Sequence, residues 1–309
     1  MQLTSPTGQI IFEDEKAQCL EELFISAVRE AEKNRNIHLG SMALTGKTLD
    51  FTQPEVANRL KERGFIKSTD EKVKATGVDF SSLFFSNGTM RGIEFERCIF
   101  TNAAFEKSDM EKVDFKQVLF ATTMVQDSNW NDCKINFLNS ADLSKMNIKN
   151  SEINVDLNSL TIKNSFLENV TFNSRSFLSG VKMENVIGSD VTITTGSENE
   201  KLKLFNWEMN NVQLTGGAIN ADFDHSKIKD LSLMGSVTVN VDLTRCSSDD
   251  INNIMIDSKA HILDLKGNLK TLEKINCQQP HIINAVENMR KEENSIKIEE
   301  PPKSQGLQM

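Results

Sequence analysis

Residues 78–135 read VDFSSLFFSNGTMRGIEFERCIFTNAAFEKSDMEKVDFKQVLFATTMVQDSNWNDCKI, and one rhythm runs through them. From Phe80 an apolar residue returns at every fifth position: Phe85, Met90, Phe95, Phe100, Phe105, Met110, Phe115, Phe120, Val125, Trp130 and Ile135. Two residues ahead of each stands a second file, mostly small or β-branched: Val78, Leu83, Gly88, Ile93, Cys98, Ala103, Ser108, Val113, Val118, Thr123, Ser128 and Cys133. A period of five fits neither an α-helix, at 3.6, nor a plain strand, at 2. It fits a chain that turns a corner after each short extended piece. Two residues of each five then point inward, and the others face solvent or occupy the corner. Four such sides close one coil, and stacked coils pair their backbones at about 4.8 Å. A single coil cannot bury its interior alone, so the array has to stack.

Beyond Ile135 the small-x-large pairing continues with slips, first through Ala141/Leu143 and Met146/Ile148, and as far as Leu263/Leu265. The frame shifts near 136–141, 154, 178–180, 194–201, 220, 236–239, 249–253 and 257–262. Each shift reads as a corner with an extra or missing residue, or as a loop. The polar, turn-rich run from Thr194 to Glu200 is the clearest loop. Gly216-Gly217 reads as a corner.

The fragments VDFKQ (113–117), SADLS (140–144) and NADFD (220–224) resemble the A(D/N)LxX consensus of the pentapeptide-repeat family. The resemblance implies a mainly β fold: a right-handed, square β-helix with about 20 residues per coil. On that basis 78–265 makes roughly nine coils, about 45 Å long. The inward register then comprises Phe80, Phe85, Met90, Phe95, Phe100, Phe105, Met110, Phe115, Phe120, Val125, Trp130, Ile135, Leu143 and Ile148.

The expected organisation is an N-terminal helical cap over 1–77, the β-helix over 78–265, and a C-terminal cap helix with a disordered tail over 266–309. Leu20, Leu23, Phe24, Ala27, Val28 and Ala31 share one face of a helix expected near 14–34. A second helix is expected near 53–63, with Thr52 and Glu55 as a capping box, Pro54 in the first turn and Gly64 as the stop. A third is expected near 281–293, with a disordered stretch over 294–309.

The chain carries a net charge of −9 in 309 residues. Residues 78–265 hold 26 acids and 17 bases, so the whole excess sits on the repeats. Direct nucleic-acid binding there is not expected, because it needs basic surface. No run of about 18 apolar residues is present, so no membrane span is expected. The first ten residues lack the basic and apolar regions of a cleaved export signal. Five scattered Cys without CxxC spacing read as reduced thiols.

The sequence offers little chemistry. The four His (His38, His225, His261, His281) fall in no metal-ligand spacing. Cys98, Cys133 and Cys246 lie on the small inward file and read as core. Cys277, with His281 nearby, lacks an orienting third group. Asp249-Asp250 and Glu198/Glu200 read as solvated charge. Trp130 and Trp207 read as core. No catalytic, cofactor-binding or metal-ligating residue is expected, and the chain reads as a non-enzymatic protein-interaction module with an unidentified protein partner.

The resemblance brings two functional groups. One is bacterial secreted effectors, with a non-repeat N-terminal region and a repeat body acting in a host cell. The other is acidic DNA mimics that bind and protect DNA gyrase and dimerise through C-terminal elements, a role the C-terminal helix here could supply. The effector reading comes narrowly first, an intracellular scaffold being a third. The expected location is the bacterial cytoplasm, or a host cell reached without a cleaved signal peptide.

Overall fold

The computed structural model describes residues 1–34, 38–120, 123–137, 141–155, 160–174, 181–195, 200–216, 218–223, 225–234, 238–243, 251–256, 261–266, 269–277 and 280–298. The repeats form a parallel β-solenoid. Short strands such as Phe84–Ser86, Thr89–Arg91 and Ile93–Glu96 are each followed by a corner. Each pairs in parallel with the strand one coil on.

Four faces result in the regular coils. On the first, the inward residues pair in one continuous register: Ala75, Phe95, Phe115, Ile135, Ile153, Phe172, Ile193, Leu214, Leu233 and Ile256. All ten are buried. The residue numbers advance by 20 three times up to Ile135, then by 18, 19, 21, 21, 19 and 23. The backbone ladder thus holds its register while the coil length varies. Of the expected frame shifts, the strands Asn147–Val155 and Ala218–Asp222 keep their pairing through 154 and 220. Residues 138–140, 178–180, 196–199, 236–237, 249–250 and 257–260 lie outside the described residues.

The interior is held by aromatic geometry. Phe80, Phe100 and Phe120 stack coil on coil, with centroids 5.2 and 5.4 Å apart. Phe95 and Phe115 stack at 5.4 Å on the adjoining face. The two files meet edge to face, Phe95 against Phe100 at 5.2 Å and Phe115 against Phe120 at 5.1 Å. Both arrangements suit the ring quadrupole. Each buried ring contributes on the order of 1.5–3 kcal/mol by leaving water. The small file tolerates Ser because its hydroxyl bridges coils: Ser128 Oγ donates toward Phe105 O and Gln126 O and accepts from Ser108 N. A buried hydroxyl left unpaired would instead be costly.

Corners fall two residues after each inward residue, in the left-handed region: Asn87 at φ +53°, Arg97 at +54°, Lys107 at +50° and Asp127 at +51°. Non-glycine residues there cost about 1–2 kcal/mol. Their amides are not wasted, since Asn87 N donates to Glu106 O and Arg97 N to Lys116 O. Later corners use Asn150, Asn164, Asn169, Asn185 and Asn206, a residue type that adopts this region more readily.

The ladder extends on both sides of the 78–265 span. It includes Thr48–Asp50 and Val73–Thr76 at one end and Ile275–Asn276 at the other. An inserted helix between the first two hides their five-residue spacing. Ile10–Glu13 pairs with Gln2–Thr4 as a hairpin, and helix α1 spans Leu20–Lys33, later than expected, because Asp14 closes a turn and accepts from Lys16 N and Ala17 N. Helix α2 spans Pro54–Glu62. Its N-cap is Gln53, with no side-chain cap. The expected capping box does not form, because Thr52 Oγ1 donates to Asp50 instead, at 2.5 Å. Phe24 of α1 stacks on Phe80 at 5.9 Å, closing the interior at this end. At the other end, α3 (Leu269–Leu272) and α4 (Pro280–Ile298) follow the last strands. The tail expected from 294 therefore begins in helix, and residues 299–309 lie outside the described residues.

Candidate interaction surface

All fourteen residues of the inward register are buried, with exposures between 0 and 2%. They build the solenoid, so anything that recognises the protein meets the residues on either side of them. Those outward positions fall into paired charges, amide ladders and apolar files.

On the first face Glu94 is only 3% exposed, held by Lys74 at 3.0 Å and Lys116 at 2.7 Å. Burial alone would raise its pKa, but hydrogen bonds from Lys116 and Lys74 outweigh that and lower it. Lys72 sits 2.7 Å from Asp114. On the fourth face, the one carrying Met90, Met110 and Trp130, Arg91 bridges Asp50 and Glu111 at 3.4 and 3.0 Å. Glu94, Asp114, Asp50 and Glu111 are thus partnered by bases from other coils, while Asp109 and Asp132 are exposed. Next come the amides. Asn147 donates to Asn129 and Asn129 to Asp109. Asn169 donates to Asn150 and Asn150 to Asn131. Asn206 donates to Asn185 and Asn185 to Asn164. Each bond runs one coil back, because the ladder spacing brings corresponding outward and corner positions of successive coils within amide reach.

The apolar files are less expected. On the third face, Phe84, Ala104 and Met124 pair across successive coils with their side chains outward. Phe84 is 37% exposed and Met124 51%. Around the next corner stand Ile99 and Leu119, with uncharged Ser81, Ser82, Thr101 and Asn102 between. A second group lies farther along: Phe166 pairs with Ile187, and exposed Phe205 lies 5.6 Å from the ring of His225. His225 sits at a corner, facing solvent.

The remaining candidates of the sequence carry no chemistry that the geometry supports. Burial pushes the Cys98 and Cys133 thiols up to about 12, which makes them inert packing groups. Cys246, the His281 side chain, Asp249-Asp250 and Glu198 lie outside the described residues. Cys277 is half-buried against the core. Trp130 and Trp207 are buried. His38 lies 3.6 Å from Asp79 on the surface. A groove of about 680 Å³ runs beside α2, past Thr52, Lys72, Lys112 and Asp114. Among the described residues no three metal-ligating side chains converge, and no helix is long and apolar enough to cross a membrane.

Residues 76–117 match the family model described as pentapeptide repeats, in eight copies. The chain carries a pentapeptide-repeat β-helix. The matched pentapeptide repeats coincide with coils that advance by 20 residues, where the five-residue unit is unbroken. Among solved structures, the β-helix is similar to HetL, a pentapeptide repeat protein involved in heterocyst differentiation regulation from the cyanobacterium Nostoc sp. strain PCC 7120. The identity is 12%, the match covers 63% of this chain and 85% of that one, and the TM-score is 0.30. No curated protein matches the chain.

Proposed function

We propose that this protein is a non-enzymatic binding module that engages a protein partner through the outward faces of its β-helix. The observation that carries this is the outward apolar file Phe84–Ala104–Met124, continued around the corner by Ile99 and Leu119. Outward positions on a solvated sheet normally alternate to polar. Aromatic and Met side chains grouped on a rigid surface are the composition of interface hot spots. The stacked backbone fixes these side chains before any partner arrives, which lowers the ordering cost of binding.

The charge pattern argues against a DNA mimic, which needs a continuous acidic stripe. Here Glu94, Asp114, Asp50 and Glu111 are paired with Lys or Arg. The effector reading rests on the uncharged first ten residues, the helical N-terminal region and the reduced Cys. Gln2–Thr4 pairs within the cap hairpin, and Leu3 is buried. That segment thus has a structural role whether or not it also directs export. A scaffold acting in the cell that makes it is the reading we favour.

The test is capture by the full-length protein from bacterial and host lysates, run beside the double variant Phe84→Asp/Met124→Asp. A specific partner lost by the variant, at unchanged melting temperature, supports the reading. Binders retained in full refute it. A fusion of residues 1–50 that is exported would restore the effector reading. Inhibition of gyrase supercoiling would restore the mimic.

A further inference from the structure

The outward apolar file of the third face has a fourth member. Ala43 bridges in parallel to Phe84, one coil before it. Phe84 N donates to Met42 O and Leu44 N to Phe84 O, so the backbone ladder is continuous there. Met42 and Leu44 are buried on either side, which turns Ala43 outward. Along the axis the file therefore reads Ala43, Phe84, Ala104, Met124, or small, large, small, large. Both alanines are half-buried, whereas Phe84 and Met124 are 37% and 51% exposed, so the large side chains stand on either side of shallow gaps.

An alternation of this kind is complementary to its own reverse. A two-fold axis along the strand direction, placed between the coils of Phe84 and Ala104, turns the file end for end and sets every large residue over a small one. Phe84 then faces Ala104 of a second copy, and Met124 faces Ala43. The neighbouring outward file runs Thr45, Ser86, Glu106, Gln126, with Thr45 and Ser86 hydroxyls 3.5 Å apart. The same axis sets Glu106 over Ser86 and Gln126 over Thr45. At the adjoining corner it sets Lys107 over Asn87, both of which hold left-handed backbone. No like charges meet at any of these positions, although the chain carries a net charge of −9. An axis through the coil of Ala104 would instead set Glu106 against itself, at the cost of like-charge repulsion.

We propose that this file joins two copies of the chain in an antiparallel, isologous dimer. The proposal rests on the reading of the file as a protein-binding surface, and it names the partner as a second copy. Spacing supports that choice as well as charge. Side chains about 4.8 Å apart stay in step only with side chains of the same spacing, which another stacked solenoid supplies. The four rungs span about 19 Å and a face about 10 Å wide. The contact is thus a few hundred Å², below the about 800 Å² per partner of a stable interface, and the dimer is weak, dissociating on the order of 100 µM.

The experiment is sedimentation equilibrium of the purified full-length protein, at concentrations on both sides of about 100 µM. A reversible monomer–dimer equilibrium is expected, abolished in Phe84→Asp/Met124→Asp. The deciding variants are Ala104→Phe and Ala43→Phe, each of which adds apolar area but fills a gap that a large side chain enters. Each should weaken the dimer about tenfold or more, whereas a patch that is merely sticky would associate more tightly. Both positions face outward, and unchanged melting temperatures check that the variants fold. The proposal is overturned by a monomer at every concentration, by open-ended oligomers, by association that survives the Asp variant, or by equal or tighter association in the Phe variants. A monomeric protein that still captures a lysate partner, lost in Phe84→Asp/Met124→Asp, ends this proposal and leaves the wider reading standing. Failure of both measurements ends both.

Discussion

Phe100 packs against Phe80, Phe95, Phe105, Phe115 and Phe120. Its removal therefore opens a cavity shared by neighbouring faces. Phe100→Ala should cost about 3–5 kcal/mol, read as a drop in the urea midpoint at unchanged slope. The thiols of Cys98 and Cys133, raised to about 12 by burial, should resist alkylation at pH 8 in the folded protein and react once it is unfolded. Titration has a defined sign as well. Burial alone would raise Asp14, but hydrogen bonds from Ser26 and Arg63 bring it down to about 2. Glu94 is lowered too, by Lys116 and Lys74. A folded-state pKa below the unfolded one gives stability that is present above pH 4 and lost as pH falls toward 2. A melting temperature that drops over that window, less steeply in Glu94→Gln, is the expected result. At this scale the inward residues were legible from spacing alone. The burial of Glu94 was not, because its position is an outward one and its lysines lie 20 and 22 residues away, at Lys74 and Lys116.

The cap and the later strands show how elements override local signals. The apolar face of α1 was legible, and Phe24 uses it to cover Phe80. Its start was not, because Asp14 closes a turn and binds Arg63 next to α2, a tertiary choice that no helical period reveals. The Thr52 and Glu55 capping pattern misled because Asp50, next to the ladder, competes for the Thr52 hydroxyl. Phe24→Asp should expose the first coil and shift the protein toward aggregates in size-exclusion chromatography, whereas Glu55→Ala should leave stability nearly unchanged. In the later coils Gly188 occupies an inward position between Leu167 and Met209. An added Cβ there would lie 1.8 Å from Leu167 O. Gly188→Ala must push two coils apart and should cost about 1–3 kcal/mol or more, read by thermal melting.

For the whole molecule, the ladder is what the five-residue period could establish, and the faces are what it could not. Spacing tells which residues point in, and by elimination which point out. Only the stacking shows that Phe84 and Met124 fall in one file, or that Phe166 and Ile187 fall in another. Every functional reading above depends on the interior being one closed, dry stack that holds those files rigid. Native-state hydrogen exchange tests this directly, since protection reports the free energy of opening each segment. The strands bearing Phe95, Phe115, Ile135 and Ile153 should be the slowest and should exchange together. Fast, independent exchange of those amides under native conditions would contradict the account.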